Sequence, residues 1–280
     1  MLNLFCTHNS KLFTGNFQPP LLCYNLVNMT IYSAYDPFAW IYNKHWGKTF
    51  LPVVLPILDN LVLSNLPKHA SVLDLCCGTG QVAHQLTNLG YRVTGIDGSP
   101  EMLGYARENA PGVEFLQADA RSFELPRKYH AVISVFDSLN HIMSTKELKS
   151  VFVQAYQALR PGGLLMFDLN TEAGYLFEWN GDFSIIEDDH VCVVRSTYDH
   201  ISRTADFDAT IFRLQDDSWY RHDLVLYQKC HAAAAVKAAV KSAGFTDIEV
   251  HGFDWQSGMH ALNKNSRRAF FLCRKPGLHR

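Results

Sequence analysis

The sequence predicts an α/β fold: a doubly wound, seven-stranded, mostly parallel sheet with an antiparallel β insert after the fifth strand. Three observations carry this. The run V-L-D-L-C-C-G-T-G over 72–80 reads as a buried strand, a turn that glycine permits and a helix start, and a second strand over 91–96 ends in Asp97, completing a βαβ unit. Further apolar runs, over 129–136 and 164–169, recur at the spacing that such a repeat requires. Residues 183–228 then alternate with a period of two between Asp-rich turns, which is the pattern of antiparallel strands.

The elements follow in chain order. Residues 1–28 contain no acid and only one lysine, and they lack the pattern of a signal or transit peptide. They are expected to be a disordered extension, with natural translation beginning at Met29. Residues 29–66 are expected to form an N-terminal lid, in which an aromatic lead with Tyr35, Tyr42 and Trp46 runs into a helix over 50–63. The first strand spans 71–75, and Gly78 and Gly80 let the chain turn closely beside a ligand. After the second strand, Ser99 caps a helix whose first position is Pro100. A third strand closes with Q-A-D-A over 117–120, and the turn L-R-P-G-G over 159–163 precedes the fifth strand. The insert, over 180–229, is read as three or four strands at 184–186, 191–198, 207–214 and 220–227. An Ala-rich helix over 231–243 is stopped by Gly244, and strands over 245–253 and 268–274 close the sheet. Residues 29–280 thus read as one domain.

A carboxylate at Asp97 can accept from both hydroxyls of a ribose, which points to a nucleoside-containing cofactor. A nicotinamide cofactor calls for G-x-G-x-x-G, a pattern that tolerates Ala83 in its third place. Asp74 discriminates: a carboxylate aimed at the loop repels a pyrophosphate and suits a cation. S-adenosyl-L-methionine carries a sulfonium and an ammonium and no phosphate. The stretch 74–80 accordingly resembles motif I of the class I methyltransferases, D-x-G-x-G-x-G, with Cys76 in place of the first glycine. A backbone there that needs positive φ would be strained.

The resemblance covers about residues 70–170 and implies roles by position. In S-P-E-M over 99–102, Met102 lies against one face of the adenine. Asp119 accepts from the adenine amine, with Ala118 and Ala120 beside the ring. D-S-L-N-H over 137–141 lies near the methionine end. The cofactor contacts implied are Tyr35, Trp46, Asp74, Cys76, Cys77, Gly78, Gly80, Asp97, Gly98, Ser99, Met102, Ala118, Asp119, Ala120 and Phe136. The expected activity is metal-independent, in-line transfer of a methyl group to a small-molecule amine or hydroxyl, as in enzymes acting on amino sugars. His141 and Tyr35 are the candidate catalytic residues, the imidazole as a base if the acceptor is a hydroxyl. His222 and His231 read as surface or structural. The alternatives are a catalytically silent cofactor-binding subunit and, behind it, a nicotinamide-dependent oxidoreductase.

Composition narrows the setting. A chain of 280 residues with 48% hydrophobic and 19% charged residues can bury one sizeable core. The net charge of −2, with no long basic run, gives no footprint for nucleic acid. The seven cysteines show no C-x-x-C pair and no zinc spacing. No membrane span is evident, so a cytoplasmic monomer or homodimer is expected.

Overall fold

The computed structural model describes residues 35–277, so the expectations for residues 1–28, for a start at Met29 and for 29–34 of the lid lie outside it. Helices α1 (Asp36–His45) and α2 (Leu51–Leu61) lead into β1 (Ser71–Leu75), α3 (Gln81–Asn88), β2 (Arg92–Asp97), α4 (Pro100–Asn109), β3 (Glu114–Gln117) and β4 (Tyr129–Ser134). A 3-10 turn (Ser138–His141) precedes α5 (Thr145–Ala158), β5 (Leu159–Asn170) and α6 (Glu172–Glu178). The insert is β6 (Gly181–Glu187), β7 (His190–Asp199), β8 (Thr204–Gln215) and β9 (Ser218–Lys229), followed by α7 (Ala233–Ser242), β10 (Thr246–Asp254), β11 (Gly258–Ala261) and β12 (Arg268–Arg274).

The main sheet has the order β11-β10-β12-β5-β4-β1-β2-β3. β1 to β5 run parallel, and β10 to β12 are antiparallel. Both faces are covered, which is why the middles of β1, β4 and β5 (72–73, 131–133 and 164–167) are continuous apolar runs rather than alternating. On one face Leu73, Val132 and Phe167 meet Val151 and Phe152 of α5 and Val236 of α7. On the other, Val72, Ile133 and Met166 meet Val54 and Leu58 of α2.

The sheet has one strand more than the sequence predicts. The edge strand β11 is short and half-exposed, with no apolar alternation to announce it. It pairs with β10 because the Asp254 carboxylate accepts from the Gln256 and Ser257 N–H groups and closes the turn between them.

The insert forms its own antiparallel sheet in the order β6-β7-β8-β9. Asp216 and Asp217, both at positive φ (48° and 58°), make the tight turn from β8 to β9, in the left-handed conformations that hairpin turns need. Its inward residues, among them Cys192, Val194, Ile211 and Leu226, bury Phe38 and Ile41 of α1 and Met102 of α4. Each such large side chain, fully buried, contributes about 1.5–3 kcal/mol. Packing thereby fixes α1 between the insert and the carboxyl ends of the main strands.

Candidate active site

A cavity of about 370 Å³ lies where β1, β2 and β4 end, walled on its other side by α1 and the inner face of the insert. That volume is in the range of small-molecule sites, and the carboxyl ends of parallel strands are where open α/β sheets bind ligands.

The floor is the turn after β1. Gly78 has φ +53°, and a Cβ there would meet only Tyr42, at 3.7 Å. Cys76 has φ +60°, so the strain anticipated for a side chain at the first glycine position is present, at a cost on the order of 1–2 kcal/mol. The Asp97 carboxylate accepts from the Gly78 N–H (2.9 Å) and the Ser99 N–H (2.9 Å), one on each oxygen. These bonds leave lone pairs on both oxygens, and burial still raises the group above the usual carboxylate range. Asp74 is 2% exposed, and its Oδ2 is buried without a hydrogen-bond partner. Burial, and then the neighbouring Asp97, push its carboxyl up to about 7. An orphaned buried carboxylate oxygen beside a cavity suits a bound cation, as a methionine ammonium is.

Helix α1 is fastened at both ends. Near its start, the Ser99 hydroxyl donates to Asp36 (2.6 Å) while the same Ser99 oxygen caps α4 by accepting from the Met102 N–H (3.1 Å). Toward its end, Asn43 Oδ1 accepts from Gln81 Nε2 (2.8 Å) and Asn109 Nδ2 (2.7 Å), and Asn109 also donates to the Thr79 carbonyl (2.8 Å). Farther out, Lys44 pairs with Asp189 (3.0 Å) in the insert.

The wall opposite the floor is a polar network. Arg268, 6% exposed, donates to Asp168 and to Asp137 (2.8 Å) and lies over the Phe50 ring. Gln228 donates through Nε2 to Asp137 (2.6 Å) and to His141 Nε2 (3.0 Å), while its Oε1 accepts from the Tyr175 hydroxyl (2.7 Å). His141 Nδ1 lies 2.9 Å from the Tyr227 carbonyl, an acceptor only, so Nδ1 carries the proton and Nε2 is the acceptor. Burial holds this imidazole below its usual pKa, hence neutral. Phe136 and Asp137 both have positive φ (64° and 50°), a strained corner held by the Arg268 bonds and by stacking of Phe136 on Phe50 (4.9 Å). Tyr35 stands edge-on to His141 (5.1 Å).

Of the residues singled out from sequence, Tyr35, Trp46, Asp74, Cys76, Cys77, Gly78, Asp97, Gly98, Ser99, Met102, Ala118, Ala120, Phe136 and His141 line this cavity. Gly80 and Asp119 are not among its lining residues. Gly80 (φ +81°) is the residue before α3, and a Cβ there would sit 2.9 Å from Ala106, so it permits α3 to pack on α4. The Asp119 carboxylate is gripped by the Arg121 guanidinium (2.7 Å), which also bridges to Glu147 (2.6 Å). Sequence reasoning missed Gln228, Arg268, Asp168 and Asn43. Among the described residues no group of three or more His, Cys, Asp or Glu is placed to hold a metal ion, and no helix is long and apolar enough to cross a membrane.

Comparison with known proteins gives the site its context. Residues 72–163 match a family model described as a methyltransferase domain. A putative methyltransferase of Geobacillus sp. (strain WCH70) is 29% identical over 253 residues, covering 86% of this chain and all (100%) of that one. The dTDP-3-amino-3,4,6-trideoxy-alpha-D-glucopyranose N,N-dimethyltransferase of Streptomyces venezuelae is 34% identical over 122 residues, 44% of this chain and 51% of that one. Among solved structures, a sugar N-methyltransferase from Streptoalloteichus sp. shares the fold with a TM-score of 0.71 at 20% identity, over 95% of this chain and 100% of that one. With a methyltransferase domain matched over the glycine turn and relatives named as methyltransferases, the chain is a class I S-adenosylmethionine-dependent methyltransferase.

Proposed function

We propose that this enzyme methylates the nitrogen of a small-molecule amine, as its amino-sugar relatives do, without a metal. The observation that carries this is the engagement of His141. Its only basic lone pair, on Nε2, is taken by Gln228, so a hydroxyl acceptor would find no free imidazole to remove its proton. A neutral amine brings its own lone pair and needs no such base.

In this reading Asp97 accepts from the ribose hydroxyls, Asp74 faces the methionine ammonium, Met102 and the 118–120 backbone flank the adenine, and Tyr35 and Trp46 close over the methionine end. Gly80 and Asp119 act one step removed, Gly80 by letting the helices pack. Bound S-adenosylmethionine supplies a methyl group that its sulfonium activates for in-line displacement. The chain's own contribution is positioning and exclusion of water: α1, pinned at Asp36 and Asn43, covers the site, and the aromatic wall keeps it dry. The work fits a cytoplasmic enzyme, where cysteines stay as thiols.

Calorimetry with S-adenosylhomocysteine, with NADH and NADPH as controls, tests the cofactor site: binding of the first alone is expected. A methyl-transfer screen of amines and alcohols on the native chain and on His141→Ala tests the acceptor. Amine turnover should fall by less than about tenfold in the variant, whereas loss of a general base costs about 10²–10⁴-fold. A loss of that size, or turnover of alcohols only, refutes the amine reading.

A further inference from the structure

The amino-sugar relatives take acceptors carried on a nucleoside diphosphate. The acceptor half of this cavity is built for something else. Its rings come from separate elements, Phe38 of α1, Trp46 just after it, Trp179 at the end of α6, and Phe207 of β8, and they enclose a box with centroid separations of 5.3 Å (Phe38 to Trp46), 5.6 Å (Phe38 to Phe207) and 5.8 Å (Trp179 to Phe207). All of these rings line the cavity.

The charges beside the box are acidic. Asp137 and Glu178 line the same cavity, the first paired with Arg268 (2.8 Å) and the second with Arg267 (3.4 Å), and among the described lining residues Arg268 is the sole Lys or Arg. Its guanidinium is already divided between Asp137 and Asp168. A diphosphate needs an uncommitted guanidinium, ammonium or helix N-terminus to replace its lost hydration, and here it would face carboxylates instead. An organic ammonium meets the opposite conditions, π faces on several sides and carboxylates at the edge.

We infer, resting on the amine reading above, that the acceptor is a free organic amine without a nucleotide carrier, whose methylated ammonium product is held in this aromatic box. The nitrogen lone pair forms the N–C bond as the C–S bond breaks, its electron pair stays on the cofactor sulfur, and the surplus proton on nitrogen leaves to water.

The test uses the full chain saturated with S-adenosylhomocysteine, titrated in turn with tetramethylammonium chloride and with thymidine diphosphate. Binding is read by calorimetry and by the fluorescence of the cavity tryptophans. Saturable binding of the ammonium is expected, with none of the nucleotide at the same concentration. Phe207→Leu and Trp179→Leu should each weaken the ammonium by about fivefold or more while leaving the affinity for S-adenosylhomocysteine within about twofold, which shows that the variants are folded. Tighter binding of thymidine diphosphate than of the ammonium, or ammonium binding unchanged in both variants, overturns this inference alone. Failure of S-adenosylhomocysteine to bind the native chain removes the cofactor site itself and the inference with it.

Discussion

Replacing Arg268 by Met should produce a stability loss that depends on pH in a defined direction. In the native chain the guanidinium lies between the carboxylates of Asp137 and Asp168, all three nearly inaccessible to water. Asp168 is already above the ordinary carboxylate range, because burial outweighs the attraction of Arg268. Without Arg268 the two acids face each other uncompensated, and the least costly escape is for one to take up a proton. Holding a carboxyl protonated at pH 7 against an ordinary value of ~3.9 costs ~1.4 kcal/mol per pH unit, or about 4 kcal/mol. The usual loss on removing one partner of a buried ion pair, about 3–5 kcal/mol, agrees with this. Whichever acid stays ionised keeps one donor, Gln228 Nε2 for Asp137 or the Asp137 N–H for Asp168, and adds less. The sign follows from linkage. A carboxyl whose folded pKa is raised leaves stability intact below its unfolded value and removes it as pH rises through the folded value. The loss should therefore shrink from about 4 kcal/mol at pH 7 to about 1.5 kcal/mol at pH 5. Urea unfolding of the native chain and of Arg268→Met at pH 5, 6 and 7 measures this, with Arg268→Lys as a charge-preserving control that should lose less and show little pH dependence. A deficit below about 1 kcal/mol at pH 7, or one unchanged at pH 5, would refute the reasoning.

Three other outcomes follow from the cofactor side. In the proposed cofactor pose Asp97 accepts from both ribose hydroxyls, so Asp97→Ala should weaken S-adenosylhomocysteine binding by on the order of 2–4 kcal/mol in calorimetry; unchanged affinity would place the ribose elsewhere. With the Asp74 carboxyl pushed up to about 7 by burial and Asp97, a ligand ammonium requires its ionised form. Affinity should accordingly rise between pH 6 and 8, by up to about tenfold per unit below its pKa, and Asp74→Asn should flatten the profile. Gly80→Ala must accept φ +81° and a Cβ 2.9 Å from Ala106, which should cost about 2–4 kcal/mol of unfolding free energy measured in urea, and the folded protein should still bind S-adenosylhomocysteine.

What was legible in the sequence divides along the range of the interactions. The parallel strands, the capped helix at Ser99 and the floor of Asp74, Gly78 and Asp97 were readable because each is written within about thirty consecutive residues, where hydrophobic period and turn chemistry decide the conformation. Gly80 shows the limit of such a motif: its position was evident, but whether a glycine admits a ligand or a neighbouring helix depends on α4, which arrives later in the chain. Asp119 shows the same limit, since Arg121 two residues on competes for the carboxylate. The polar wall opposite the floor was not readable, because its bonds join Gln228 to His141 across 87 residues and Arg268 to Asp137 across 131. A weaker signal was available. Gln228 falls on the same face of β9 as the buried Leu224 and Leu226, and Arg268 opens a buried apolar strand. A polar side chain at a core position must find a partner or cost several kcal/mol, so each of these residues announces a buried network even though the sequence does not say with whom. Whether His141 could act as a base was hidden for the same reason: its location follows from the end of β4, while the fate of its lone pair is set by Gln228, on the last strand of the insert.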